Sequence, residues 1–459
     1  MRIAPVRIVV VVVAVLAAAV AVGLSIALWS FSRGDRICRD VTISSVWVGG
    51  MTKAQARDRL ETWSRARANR VVTLTALGAR WKGTPKDLGA RVDVDGAVSR
   101  AFAVGRTGGI LQRLRCILTS GGDGKHFQAE FLTDSAKVGK AIGEVAARVD
   151  RPHRNARMIV VGGRLHVKPE GSGIRVNREK SLAEVSRALR TGLAVVPLPV
   201  EVVRPEVTSR DAASITTLLA RYTTSFNPGK VGRTHNLRLA ANSISGIILK
   251  PGMEFSANEA IGPREMSRGY RNAIIFVRGR MEEGLGGGTC QVSSTLYNAV
   301  LLAGLDVLQR GHHSRTVPYV PPGLDATVAY GLVDFKFRNS NSAPIALIST
   351  IRGSRLTVDI YGSPADKKKI KVYSVRSRRI PARAKTVVDK SLAPGVRKLV
   401  EPASAGVSAT VYREITNPDG TVTKEVVSRD RYAPQDAIIA VGPPVRAARA
   451  FGSASPSAE

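Results

Sequence analysis

From Ile8 to Leu28 the chain runs about twenty residues without a charged side chain. A helix of that length spans the hydrocarbon core of a bilayer. A secretory signal would carry a shorter apolar core and a small-x-small cleavage site, and Leu28-Trp29-Ser30-Phe31 offers none. An uncleaved N-terminal anchor is therefore expected, with residues 1–40 forming a short tail and a single span. Arg2 and Arg7 precede the span, but Arg33, Arg36 and Arg39 follow it and blunt the charge asymmetry that orients such helices. No second apolar segment of spanning length follows, so one large region is expected on one side of the membrane.

The net charge of +33 and a pI near 10.9 point to an anionic partner. Nucleic acid is not expected: aromatic content is 5%, and neither zinc-finger spacing nor an aromatic nucleic-acid motif is present. Arginine-rich composition and simple surface solvation account for part of the excess. Three cysteines in 459 residues are sparse. Cys38 and Cys116 can pair in an oxidising compartment and leave Cys290 as the odd thiol; the alternative is that all three are unpaired.

After the span, Val41 to Thr52 reads as a strand and a glycine turn, and Lys53 to Trp63 as a helix capped by Thr52. Val71 to Leu77 alternates as a strand. A repeat then recurs at a spacing of about 84 residues. Gly78-Ala79-Arg80-Trp81 leads into Gly89-Ala90-Arg91-Val92-Asp93 and a helical pattern through Ala97, Ala101 and Val104. Gly163-Arg164-Leu165-His166 leads into Gly173-Ile174-Arg175-Val176-Asn177 and a helical pattern through Leu182, Val185 and Leu189. Ser135 to Val149 reads as a helix between the copies, and Ser209 to Tyr222 as a helix entering a new domain. Lys369 to Pro443 is strand-rich, with a turn at Asn417-Pro418-Asp419-Gly420. The Ala/Ser/Arg-rich tail, residues 444–459, is expected to be disordered.

The chemistry concentrates at Gly284-Leu285-Gly286-Gly287-Gly288-Thr289-Cys290, where a glycine run meets the helical stretch Val292 to Leu305. A thiol in the first turn of a helix feels the positive end of the macrodipole, which favours thiolate. Gly287 and Gly288 let backbone and substrate approach closely, and the N–H groups there, with Gln291, are oxyanion-hole candidates. The other use of this geometry is anion binding at the helix N-terminus, with Cys290 incidental. A thiol nucleophile needs a base, and His312-His313 is the sole adjacent pair among six histidines. Asp325 could orient the imidazole, with Asp334 as competitor. Arg238 and Arg310 could hold a substrate carboxylate through a bidentate pair, or simply be solvated. No metal is expected, because adjacent residues in an extended segment point to opposite faces. No nucleotide or redox cofactor is expected either: the glycine run follows no βαβ pattern and lacks the phosphate-loop lysine.

Two groups of residues resemble known families. Val46-x-Val48-Gly49-Gly50-Met51-Thr52-x-x-x-Ala56 and the repeated Gly-x-Arg-Val units resemble the peptidoglycan-binding modules found ahead of VanW domains, over residues 41–205. From about 222 to 362 the chain resembles the VanW family itself, on six long segments. They are Asn236 to Ala241, Pro251 to Glu259, Gly286-Gly287-Gly288-Thr289-Cys290-Gln291-Val292-Ser293, Arg310-Gly311-His312-His313-Ser314, Tyr319 to Val328, and Asp334-Phe335-Lys336-Phe337-Arg338-Asn339. The strand-rich region after it resembles the small β-rich wall modules that often follow VanW domains.

The resemblance implies an α+β multidomain chain: an N-terminal transmembrane helix, small repeated α+β modules at 41–205, a mixed α+β VanW domain at 206–365 and a β-rich module at 366–443. It implies a plasma-membrane protein with its large part extracytoplasmic, and partners in peptidoglycan stem peptides and anionic wall polymers. It selects His313, the histidine directly before Ser314, as the base. The family's link to L,D-transpeptidation implies a cysteine acyl transfer with Cys290, His313 and Asp325 as catalytic residues. The alternatives are a non-catalytic wall-binding scaffold linked to glycopeptide resistance and a thiol hydrolase cutting stem peptides. The better-known L,D-transpeptidase signature, His followed by Ser-x-Gly-Cys-Arg, is absent, and Cys precedes His here.

Overall fold

The computed structural model describes residues 4–107, 125–277 and 280–444. It is a mixed α+β chain of many small sheets that divides into two compact units. One comprises residues 1–153 and 172–204; the other comprises 154–171 and 205–459.

The first unit begins with the helix Ala4–Arg33, of which Val9–Arg33 is long and apolar enough to cross a membrane. The helix Lys53–Ala68 starts where Thr52 accepts from the Gln55 N–H and Gln55 reaches back to the Thr52 N–H, a reciprocal cap that satisfies two orphan donors. It buries Ala56 and Leu60 in a small core with Val41, Ile43, Val48 and Ala101. A second core gathers Leu74, Val138, Ile142, Val145, Val185 and Leu189 from the strand Val72–Ala76 and the helices Ser135–Val149 and Arg178–Thr191. Cys38 is disulfide-bonded; Cys116, the partner expected for it, lies outside the described residues, as does the tail beyond 444.

The second copy of the repeat is divided. Its strand Gly173–Val176 and helix belong to the first unit, while the hairpin Arg157–Val161 with Arg164–Lys168 belongs to the second. There Met158 joins Ile248, Ala346 and Ile348 in a separate small core.

The second unit is built on a four-stranded antiparallel sheet in the order Thr217–Ser225, Arg355–Gly362, Ile345–Arg352, Ile248–Leu249. The expected helix over Ser209 to Tyr222 is corrected here: residues 209–214 are turns, and Thr217–Ser225 is an edge strand. Ile215, Leu218, Leu219 and Tyr222 imitate a helical stripe, but the β-branched run Thr216, Thr217, Thr223 and Thr224 suits a pleated strand. Pairing with Arg355–Gly362, more than a hundred residues downstream, then decides the matter.

The helices Val231–Ile244 and Thr289–Leu302 lie in the core against this sheet, contributing Leu237, Ala240, Ile244, Val292, Leu296 and Val300. Beyond the sheet, Lys369–Ile380, Gly406–Thr416 and Val422–Tyr432 form a three-stranded antiparallel sheet. Ala384–Val388, Ala437–Val441 and Arg397–Glu401 form another. Val411 of the first of these belongs to the same core as Leu296 and Leu324, so the β-rich region is packed onto the domain that precedes it.

Candidate functional site

The helix Thr289–Leu302 is buried on every side, with only Cys290 and Leu302 not fully enclosed. Its N-cap is Gly288, at φ +112°, a conformation that strains any residue with a Cβ. The Thr289 and Gln291 N–H groups close on the carbonyls of Gly286 and Gly288. The Cys290 N–H has no backbone acceptor of this kind among the described residues.

A helix so deeply buried cannot carry polar side chains without partners. Here they grip the segment 324–326. Ser293 Oγ donates to the Ala326 carbonyl at 2.6 Å, the Ala326 N–H donates to Ser294 Oγ at 2.9 Å, and Asn298 Nδ2 donates to the Leu324 carbonyl at 2.7 Å. Those three contacts hold Asp325 against the thiol helix. The Thr327 N–H then donates to the Gly311 carbonyl at 2.7 Å, drawing the histidine segment alongside.

The result is a relay of three side chains. His313 Nδ1 lies 2.6 Å from Asp325 Oδ2, and the His313 backbone N–H donates to the same oxygen at 2.7 Å. With Nδ1 given to the carboxylate, Nε2 is the nitrogen left to face the thiol, and His313 and Cys290 interact electrostatically. The thiol also reaches the Val328 carbonyl at 3.6 Å. Adjacent His312 turns the other way, its ring edge-on to Tyr432 at 5.1 Å.

The electrostatics follow from burial and pairing. Burial opposes ionisation of Cys290 most strongly, yet the hydrogen bond and charge of His313 hold its thiol below the ordinary value. Burial likewise disfavours the imidazolium, but Asp325 and Cys290 raise His313 to about 9. Burial would push Asp325 up, and the hydrogen bonds from His313 and Tyr432 bring it down to about 2. The three shifts agree on a thiolate–imidazolium pair backed by a carboxylate.

Two residues that sequence reasoning missed hold that carboxylate, Tyr432 directly and Asp430 through Arg310. The Tyr432 hydroxyl donates to Asp325 Oδ1 and accepts from the Gly323 N–H at 2.7 Å. Asp430 takes Arg310 Nη1 on both oxygens at 2.7 Å. Arg310 also donates through Nε to the Asp325 carbonyl at 2.7 Å, and through Nη2 to the Gly323 carbonyl and Asp325 Oδ1. Every N–H of Arg310 is thus spent on protein acceptors, and the side chain is 7% exposed. Asp430 and Tyr432 are two apart on one strand and so share a face; the sequence shows that alternation but not what the face meets.

The other expected residues are distributed unevenly. Gln291 is buried with its amide committed: Nε2 donates to Thr224 Oγ1 and the Ser225 carbonyl, and Oε1 accepts from Arg233 at 2.6 Å. Gly287 packs on the neighbouring strand, where an added Cβ would lie 2.5 Å from the Ile274 carbonyl oxygen. Arg238 is exposed on the helix Val231–Ile244, away from the buried face of Asn236 and Leu237. Asp334 does not meet His313; it accepts from Ser256 Oγ and the Asn258 N–H. Arg233 and Arg264, neither expected, both interact electrostatically with Cys290.

Two cavities adjoin at Pro318 and Tyr319. One, of about 820 Å³, is lined by Arg233, Ala273, Ile274, Gln291 and Tyr319 among others. The second, of about 750 Å³, runs from Thr316–Pro322 to Arg376, Arg378 and Arg379. Cys290 lines neither, but its neighbour Gln291 and Tyr319, which interacts with both Ser294 and Cys290, form the wall of the first.

Three family models match the chain. "VanW like protein" matches residues 232–361, "Putative peptidoglycan binding domain" matches 81–196, and "G5 domain" matches 371–444. The uncharacterized protein YoaR of Bacillus subtilis (strain 168) is 35% identical over 252 residues, covering 54% of this chain and 82% of YoaR. The vancomycin B-type resistance protein VanW of Enterococcus faecalis (strain ATCC 700802 / V583) is 28% identical over 153 residues, covering 32% of this chain and 54% of that protein. Among solved structures, the IgA1 protease G5 domain matches 17% of this chain and 89% of its own, at 18% identity and a TM-score of 0.14. The structure titled HP0197-G5 matches 16% of this chain and 97% of its own, at 25% identity and a TM-score of 0.11.

Proposed function

The chain belongs to the VanW family, and from that premise we propose that it is a membrane-anchored cell-envelope protein whose Cys290 thiolate carries out acyl transfer on peptidoglycan stem peptides. One observation carries the reading: the relay Cys290–His313–Asp325, with His313 Nδ1 held 2.6 Å from a carboxylate kept ionised by its own partners.

The thiolate attacks the carbonyl between an L- and a D-centred residue, forming a carbon–sulfur bond and a tetrahedral oxyanion. The Cys290 N–H, without a backbone acceptor in the first helical turn, is the donor best suited to that oxygen. The His313 imidazolium gives its Nε2 proton to the leaving amine as the carbon–nitrogen bond breaks, releasing D-alanine. The amine of a second stem then attacks the thioester. His313 takes the ammonium proton, the amide forms, and the thiolate leaves to restore the ion pair. With water in place of the amine, the same steps make the site a hydrolase. The helix Ala4–Arg33 serves as the anchor, and the large part faces the wall at the plasma membrane.

The second reading, a non-catalytic scaffold on wall polymer connected with glycopeptide resistance, is favoured by the match to the peptidoglycan-binding model over residues 81–196 and by the net charge of +33. A product assay separates the two. The full chain in detergent, with Cys290→Ala and His313→Ala, is incubated with disaccharide-tetrapeptide and the products are read by mass spectrometry. Cross-linked dimer with loss of D-alanine, absent from folded Cys290→Ala, is the expected result. Free tripeptide makes the protein a hydrolase, and no turnover with wall binding intact supports the scaffold.

A further inference from the structure

The glycine run has a second neighbour besides the thiol helix. At Gly286, φ +80°, an added Cβ would sit 2.5 Å from Cγ of Arg264 and 3.8 Å from Cδ1 of Tyr270. The stem of Arg264 therefore crosses the glycine run, and only a residue without a side chain lets it pass.

One end of that guanidinium is fixed. Nη1 donates to Asn258 Oδ1 at 3.0 Å and to the Gly262 carbonyl at 2.9 Å. Asn258 is itself pinned: its N–H donates to Asp334 at 2.9 Å, and its Nδ2 to the Val333 carbonyl at 2.8 Å. The other end is not satisfied. Arg264 Nη2 is buried with no hydrogen-bond partner among the described residues, and the same holds for the hydroxyl of Tyr270, a residue 3% exposed. The two side chains interact electrostatically with each other, and Arg264 also with Cys290.

A buried donor left without an acceptor is costly, more so when it carries charge. Arg264 Nη2 and Tyr270 Oη are two such donors, both flanking the glycine run that leads into Cys290. A guanidinium edge next to a phenol offers two N–H or O–H donors to one planar anion, which is the geometry of carboxylate recognition.

We propose that Arg264 Nη2 and Tyr270 Oη form a subsite beside Cys290 that binds a carboxylate of the substrate. The substrate class is then a peptide with a free carboxylate next to the bond under attack. This rests on the reading of Cys290 as the nucleophile, since it places the carboxylate relative to that sulfur. Asp334 is a positioning residue, acting through Asn258 on the guanidinium.

Two alkylating agents test it, because iodoacetate carries a carboxylate and iodoacetamide does not. Both consume the same thiolate, so the ratio of their rates at Cys290 is independent of thiolate fraction. The full chain in detergent is labelled with each across pH 5–9, with the site identified by peptide mass, and N-acetylcysteine sets the reference ratio. The expected result is a ratio about tenfold above the reference, as one charge-assisted hydrogen bond supplies, falling to the reference in Arg264→Gln and partway in Tyr270→Phe. A wild-type ratio equal to the reference, or one that Arg264→Gln does not change, overturns the subsite. If Arg264→Gln does not fold, Tyr270→Phe alone decides. An iodoacetamide profile with an ordinary thiol midpoint would instead overturn the nucleophile reading while leaving the ratio interpretable.

Discussion

The hydroxyl of Tyr432 donates to Asp325 Oδ1 across 107 residues of sequence. The carboxylate that orients His313 is thus held from the β-rich region at the far end of the chain, which is part of the site's construction as well as a neighbouring module. That dependence and the charge pairing around Cys290 lead to four expected outcomes, and the close packing of Gly287 leads to a fifth.

Removing the hydroxyl in Tyr432→Phe leaves the Gly323 N–H and one lone-pair direction of Asp325 without partners. Loss of a partner to buried polar groups costs about 1–3 kcal/mol. Chemical denaturation is expected to show that loss. The iodoacetamide profile of Cys290 should move to higher pH, because a less firmly held carboxylate supports the imidazolium less.

Asp430→Asn is expected to be more damaging. Arg310 and Asp430 are each 7% exposed, and the substitution leaves a buried guanidinium short of its counter-charge. Breaking such a pair costs about 3–5 kcal/mol. The thermal midpoint of the large unit is the readout, and a change smaller than that of Tyr432→Phe would contradict the arrangement.

Cys290 should react with iodoacetamide at pH values below the ordinary thiol range, because His313 favours its ionised form against the opposing effect of burial. In His313→Ala burial is no longer opposed by the imidazolium, and the midpoint should rise above that range. Rates measured from pH 5 to 10 decide this.

Stability should itself depend on pH through the same pair. Asp325 is lowered from 3.8 to about 2, so its contribution is complete above 3.8 and is lost as pH falls toward 2. His313 is raised from 6.5 to about 9, so its contribution is complete below 6.5 and is lost as pH rises through 9. The advantage of wild type over His313→Ala in thermal unfolding should be greatest between about pH 4 and 6.5 and should shrink on both sides.

Gly287→Ala should be destabilised although Gly287 is not among the positive-φ glycines. Its new Cβ would lie 2.5 Å from the Ile274 carbonyl oxygen and 2.9 Å from Ala273 Cβ, and neither can yield without moving a strand. Overpacking of this kind costs about 1–3 kcal/mol. A melting temperature equal to wild type would show that the strand Asn272–Val277 yields at no cost.

Much of this protein is local and could be read in order along the chain. The apolar run that became the helix Ala4–Arg33, the cap at Thr52, the helix Ser135–Val149 and the long hairpins after Lys369 all follow from periodicity and turn residues. So does the position of Cys290 in the first turn of a helix entered from glycine, because φ of +112° at Gly288 is a property of that residue type. What the chain order could not supply is who meets whom. The strand Thr217–Ser225 carried a helical stripe until its partner at Arg355–Gly362 supplied the ladder. Arg310 looked free for a ligand until Asp325 and Asp430 consumed its donors, and Arg264 was unremarked until burial left one of its nitrogens without an acceptor. Hydrogen bonds and ion pairs between residues a hundred positions apart depend on packing, and only the tertiary structure brings those partners within bonding distance.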